Sequence, residues 1–103
     1  MKKLVYRYGV MNAAKSLNLL STNWNYNELG LTTIVVVPDS TNSNVVKSRV
    51  GIQADAIPFS MLKECIDSIK VDCVLVDEAQ FLTEEEVKYL NYITLKGIQV
   101  IAY

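Results

Sequence analysis

The chain has 103 residues, half of them apolar, enough for one small domain with a buried core; a second domain is not expected. Ten Lys and Arg against eleven Asp and Glu leave a net charge of −1, and the cations are scattered, so nucleic acid and anionic membrane surfaces are not expected partners. The longest apolar runs, such as Ile34–Val37 and Cys73–Val76, are too short to span a bilayer, and the N-terminus has no signal-peptide core, so the expected location is cytoplasmic.

Leu4 to Tyr8 reads as a strand that breaks at Gly9, and Lys15 to Leu29 as a helix with Leu17, Leu20, Trp24 and either Ala13 or Leu29 toward one side. Gly30 supplies the usual left-handed stop. Between strand and helix lies Gly9-Val10-Met11-Asn12-Ala13-Ala14-Lys15-Ser16. The Walker A pattern is Gly, four free residues, Gly, Lys, then Ser or Thr; Gly9, Lys15 and Ser16 fill three of its fixed positions and Ala14 replaces the second glycine. Such a loop holds phosphates with backbone N–H groups and a helix N-terminus, while the lysine reaches the terminal phosphates and the hydroxyl takes Mg²⁺. ATP or another phosphate is therefore the expected ligand of residues 9–16, with Ser16 on the metal. The Cβ of Ala14, at a position often left-handed, is expected to weaken binding.

Thr32–Val37 is a β-branched run without alternation, the pattern of a strand buried on both faces, and Pro38 closes it. Asp39 to Asn44 is a polar loop just past that strand's C-terminal end, the ligand edge of open α/β sheets, which makes Asp39 a possible metal ligand. Val45 to Pro58 is poorly patterned, with Lys47–Ile52 either a short strand or an irregular excursion. Phe59 to Lys70 fits a helix capped by Ser60, with Met61, Leu62, Cys65, Ile66 and Ile69 at helical spacing. Cys73–Val76 is a third buried strand running into Asp77-Glu78. Thr83-Glu84-Glu85-Glu86 is a capping box that opens a helix to Lys96, Gly97 stops it, and Ile98–Tyr103 is a fourth apolar strand. Cys65 and Cys73, with no histidine in the chain, read as buried free thiols, so no zinc site is expected.

This order predicts an α/β fold, a P-loop NTPase-like parallel sheet with helices on both faces and right-handed crossovers, ending after its fourth core strand. The last strand is expected to be central and to leave apolar surface beside it for a second copy or a protein partner. An apolar strand ending in Asp77 is a Walker B pattern, with Asp77 on Mg²⁺ and Glu78 placed as a base. Taken alone, Asp77-Glu78 also fits a solvated acidic pair. Both signatures in order, each at the end of a buried strand, point to descent from a P-loop nucleotide enzyme.

Tyr8-Gly-Val-Met-Asn-Ala-Ala-Lys-Ser, then Ser48-Arg-Val-Gly-Ile, then Val74-Leu-Val-Asp-Glu-Ala-Gln-Phe-Leu-Thr together resemble the cellular, zinc-containing class of thymidine kinases over nearly the whole chain. The resemblance implies transfer of the γ-phosphoryl of ATP to the 5′-hydroxyl of thymidine, in enzymes that are commonly tetramers with a C-terminal zinc ribbon and a lasso over the nucleoside. It implies that Lys15 and Ser16 serve ATP and Mg²⁺, that Asp77 serves Mg²⁺, that Glu78 is the general base, and that Met11 and Phe81 touch the thymine ring. Plain packing is the alternative for Met11 and Phe81. Three departures stand against this: Ala14; Asp39-Ser40-Thr41 where the family has Asp-x-Arg; and Tyr103 as last residue, before the zinc ribbon and lasso are expected. On these residues the chain reads as a thymidine-kinase-like nucleotide-binding domain without catalysis, acting by binding or interaction. The alternative is an active kinase, or the N-terminal half of a split one completed in trans.

Overall fold

A computed structural model of the chain describes residues 3–7, 12–41, 43–48 and 51–103, and of residues 12–14 the backbone. The strands are β1 (Leu4–Tyr6), β2 (Thr33–Val37), β3 (Val45–Lys47), β4 (Gln53–Asp55), β5 (Ile57–Pro58), β6 (Cys73–Val76) and β7 (Gln99–Ala102); the helices are α1 (Asn12–Glu28), α2 (Leu62–Ser68) and α3 (Glu84–Leu95). Five strands form one parallel sheet in the order β1-β7-β6-β2-β5, and β3 and β4 form a separate antiparallel hairpin.

The β-branched runs sit in the sheet because both faces are covered, and alternate residues feed two cores. Val36, Val74, Val76, Val100 and Ala102 point to one face, where Leu62 of α2 and Leu90 and Ile93 of α3 pack on them. Val35, Val37, Cys73, Leu75 and Ile101 point to the other, against Leu19 and Leu20 of α1 and Val46 of the hairpin. The fourth predicted strand is central as expected: β7 lies between β6 and β1, so it presents no free edge.

The buried stripe of α1 differs from the one its apolar periodicity suggests. Leu19 and Leu20 are buried and Tyr26 half-buried, whereas Leu17, Trp24 and Leu29 face outward, Trp24 at 66% exposure. Polar residues complete the inward side through specific bonds: the Thr33 hydroxyl donates to Asn23 Oδ1 at 2.5 Å, and the Tyr103 hydroxyl donates to Thr22 Oγ1 at 3.0 Å. The predicted helix at Phe59–Lys70 is shorter, a 3₁₀ turn over Phe59–Met61 leading into α2, and Met61 and Ile69 are exposed. Its cap comes from far along the chain. Ser60 donates its amide N–H to Asp39 Oδ1 at 3.0 Å, and its hydroxyl caps nothing. The excursion resolves into β3 and β4, closed by Ser48 N–H to Ile52 O at 2.8 Å, and into β5, which joins the sheet beside β2.

The capping box forms as predicted: Glu86 N–H donates to Thr83 Oγ1 at 3.2 Å and Thr83 N–H to Glu86 Oε1 at 2.8 Å. Three glutamates in the first turn also suit the helix dipole. Thr83→Ala is expected to cost about 1 kcal/mol in urea unfolding, against about 2–5 kcal/mol for Leu75→Ala in the sheet; equal losses from the two would refute this division of stability.

Candidate active site

All five sheet strands are parallel, so their C-terminal ends share one edge, and the chemically capable side chains gather there. Gly9, Val10 and Met11 lie outside the described residues. Asn12, Ala13 and Ala14 belong to α1, which starts three residues earlier than the sequence suggests. A helical backbone at Ala14 replaces the expected left-handed one. Alanine is the best helix former, and glycine there costs about 1 kcal/mol more. Lys15 and Ser16 are half-buried in the first turns of α1.

Across the edge, β6 delivers Asp77, whose N–H donates to Val36 O at 2.9 Å and keeps it in the ladder. Glu78 then turns left-handed, φ 53° and ψ 43°, alone among the described non-glycine residues. Such a conformation costs a side-chain-bearing residue about 1–2 kcal/mol, so something must hold it. Tyr103 does, from both sides: its N–H donates to Val76 O at 2.8 Å, and its carbonyl accepts from Ala79 N–H at 2.9 Å. The Glu78 carboxylate in turn accepts from Gln80 Nε2 at 2.5 Å.

Asp77 carries the perturbed acid of the site. Burial is the largest cause raising its pKa and the neighbouring Glu78 charge the second, partly offset by a hydrogen bond from the Glu78 amide and by Lys15. Asp77, just past β6, therefore feels the charge of Lys15 of α1 although 62 positions separate them in the chain. A half-buried carboxylate whose charge is penalised by burial gains from a bound cation, so Asp77 is a residue that could hold Mg²⁺. Among the described residues no three acidic, Cys or His side chains cluster as a ready-made metal cage. Mg²⁺ needs no such cage, since it takes one or two carboxylates and completes its shell with water and phosphate.

Two clefts flank the Asp77–Phe81 loop. One, of about 240 Å³, is lined by Tyr6, Arg7, Lys15, Gln80 and Tyr103, with Ala79 and Ala102 behind. The other, of about 390 Å³, is lined by Pro38, Asp39, Ser40, Phe81, Thr83 and Glu86. Phe81 is 60% exposed there, so it faces a cleft and does not pack the core. Asp39 commits one oxygen to Ser60, and Thr41 donates its hydroxyl to Pro38 O at 2.8 Å. Lys15 and Asp77 thus stand at the same sheet edge, while Phe81 and Asp39 share the second cleft. Arg7 and Tyr103 were not singled out by the sequence; the available signal was that each immediately follows a parallel strand.

The sequence profile of the thymidine kinase family matches residues 2–103. Similar proteins include the thymidine kinase of Shewanella oneidensis, 41% identical over the whole of this chain and 59% of the relative. That of Colwellia psychrerythraea is 40% identical with the same coverage, and that of Rhodopirellula baltica is 37% identical over 88% of this chain and 48% of its own. The chain spans about three-fifths of the length of the first two relatives. The stretch matched is 114 positions long against 103 residues here, so those relatives carry additional residues within it.

The raised Asp77 predicts a pH signature. The folded chain binds this proton more tightly than the unfolded chain does, so the group's stabilisation is full below the ordinary carboxylate range and is lost as pH rises through the raised folded value. Asp77→Asn is expected to melt higher than the unaltered chain near neutral pH, the gap closing in acid. Thermal melts followed by circular dichroism across pH measure this, and a lower melting point for the variant at neutral pH would contradict it.

Proposed function

We propose that this chain, which belongs to the thymidine kinase family, holds Mg·ATP at the edge formed by α1 and β6 and transfers its phosphoryl group poorly or not at all. The observation that carries the proposal is that Lys15, in the first turns of α1, and Asp77, at the exit of β6, both stand at the edge formed by the C-terminal ends of the strands. The first-turn amides of α1 have no partner within the helix and suit phosphate oxygens; Lys15 adds a cation beside them and Ser16 a hydroxyl for the metal. Bound Mg²⁺ neutralises charge on the phosphates. Asp77 is the residue to hold it, since a cation there relieves the cost of ionising a half-buried carboxylate.

Transfer needs more than binding. Phosphoryl transfer is accelerated by cations placed on the charge that develops, and a guanidinium in this role is worth orders of magnitude. Where the family has Asp-x-Arg, this chain has Asp39 bonded to Ser60 and Thr41 bonded to Pro38, with no cation between them. A neutral hydroxyl cannot stand in for a forked cation. Exposed Trp24, Leu29 and Leu95 support a complementary role in binding a protein, either a second copy or another polypeptide.

One observation favours the second reading, an active thymidine kinase or part of one completed in trans. Glu78 is held in a strained conformation by two backbone bonds, the kind of cost kept at working sites. In that reading Glu78 accepts the proton of the thymidine 5′-hydroxyl, and Phe81 lies beside the base.

Calorimetry with Mg·ATP, paired with a thymidylate-formation assay, separates the two. Saturable binding lost in Lys15→Ala, without measurable thymidylate, is the expected result. Thymidylate formation abolished by Glu78→Gln would select the active kinase instead, and absence of any Mg·ATP binding would overturn both. Thr41→Arg is expected to bring thymidylate formation into the measurable range, a gain of about a hundredfold; no thymidylate from a variant that still binds Mg·ATP would remove the missing arginine as the cause.

A further inference from the structure

We propose that Arg7 is a second cation for the polyphosphate of the bound nucleotide, acting beside Lys15 in the smaller cleft at the ends of β1, β6 and β7. The inference rests on the nucleotide-binding reading and adds to it a residue that neither loop motif contains.

Arg7 is the first residue after β1, and its N–H donates to Ala102 O at 2.7 Å, so its backbone is pinned in register with β7. Its side chain lines the same cleft as Lys15. The other described lining residues are Tyr6, Ala79, Gln80, Ala102 and Tyr103, so the described walls hold two cationic side chains and no Asp or Glu. Arg7 forms no salt bridge with a described residue; the ion pair on the described surface is Lys88 with Glu85, on α3. Its charge reaches the Tyr103 phenol, which is itself fixed by its bond to Thr22. A guanidinium with its backbone held and no salt bridge to a described residue is prepared for an incoming anion.

The size and chemistry of the cleft narrow the class of anion. At about 240 Å³ it falls short of the roughly 300–1,000 Å³ of pockets that enclose a whole drug-sized ligand. It suits a phosphate chain whose nucleoside lies outside. An arginine fork offers parallel donors to two oxygens of one phosphate, where an ammonium offers a point charge. With Ser40 and Thr41 supplying no cation on the far side of the Asp77 loop, Arg7 is the guanidinium on the near side.

Titration calorimetry on the full chain tests this with two probes, Mg·ATP and metal-free inorganic tripolyphosphate. Arg7→Ala is expected to weaken both by about ten- to a hundredfold, and Arg7→Lys to recover part of the loss, since it keeps the charge without the fork. Lys47→Ala, an exposed cation on the hairpin, is the control and is expected to change neither. Site-resolved dicarbonyl modification of the unaltered chain gives an independent readout, in which tripolyphosphate is expected to protect Arg7. If Lys15→Ala abolishes binding while Arg7→Ala binds both probes as tightly as the unaltered chain and Arg7 is not protected, the inference falls and the nucleotide reading stands. If tripolyphosphate binds in an Arg7-dependent way and Mg·ATP does not, the nucleotide reading falls and the anion site stands. Binding of neither probe overturns both.

Discussion

Strand β6 has no exposed face and no open edge. Cys73, Val74, Leu75 and Val76 are each 1% exposed or less, and β2 and β7 satisfy its backbone on either side. A charge within such a strand would be desolvated at a cost of several kcal/mol or more, so the chain reaches the strand's exit before it can place one. Asp77 is that first charge, still tied to the ladder through Val36 and already half-buried. The perturbed titration of Asp77 and the turn at Glu78 both follow from ending a fully buried strand at the ligand edge. So does the grip of Tyr103, because β7 lies alongside, ends level with β6 where Ala102 pairs with Val76, and hands on to Tyr103.

The parallel sheet, the order of its elements and the acidic strand end were legible because each has a local cause. β-branched runs buried on both faces carry no alternation, and the α3 cap needs only Thr83 and Glu86 three residues apart. What was not legible depends on partners far away in the chain. The inward face of α1 is partly polar, and only the folded positions of Thr33 and Tyr103 make Asn23 and Thr22 acceptable there. The bond from Ser60 N–H to one oxygen of Asp39 joins residues 21 positions apart. The smaller cleft draws on residues 6–7, 15, 79–80 and 102–103, a set that becomes neighbours only through the strand order. The sequence motifs named Lys15 and Asp77 individually, whereas their mutual field is a property of the packed sheet.

Ala14 shows how one substitution changes meaning with its surroundings. Read as a replaced glycine in a tight loop, its methyl group is an obstruction. Within α1 it is a favourable residue, and the helix takes in Asn12 and Ala13 as well. Lys15 then sits inside a formed first turn, so the cation's position is set by the helix axis and by the docking of Leu19 and Leu20 on the sheet.

The two outer strands of the main sheet are its shortest, three residues in β1 and two in β5, and β5 ends in Pro58. Proline has no N–H to offer a newcomer, and a strand of two or three residues is a poor template for extended pairing. A sheet with so apolar a centre is normally an aggregation hazard wherever its rim is long and flat. Here the rim is cropped at both sides, so the hydrophobic strands that build the phosphate edge are shielded from stacking with other chains through their backbones.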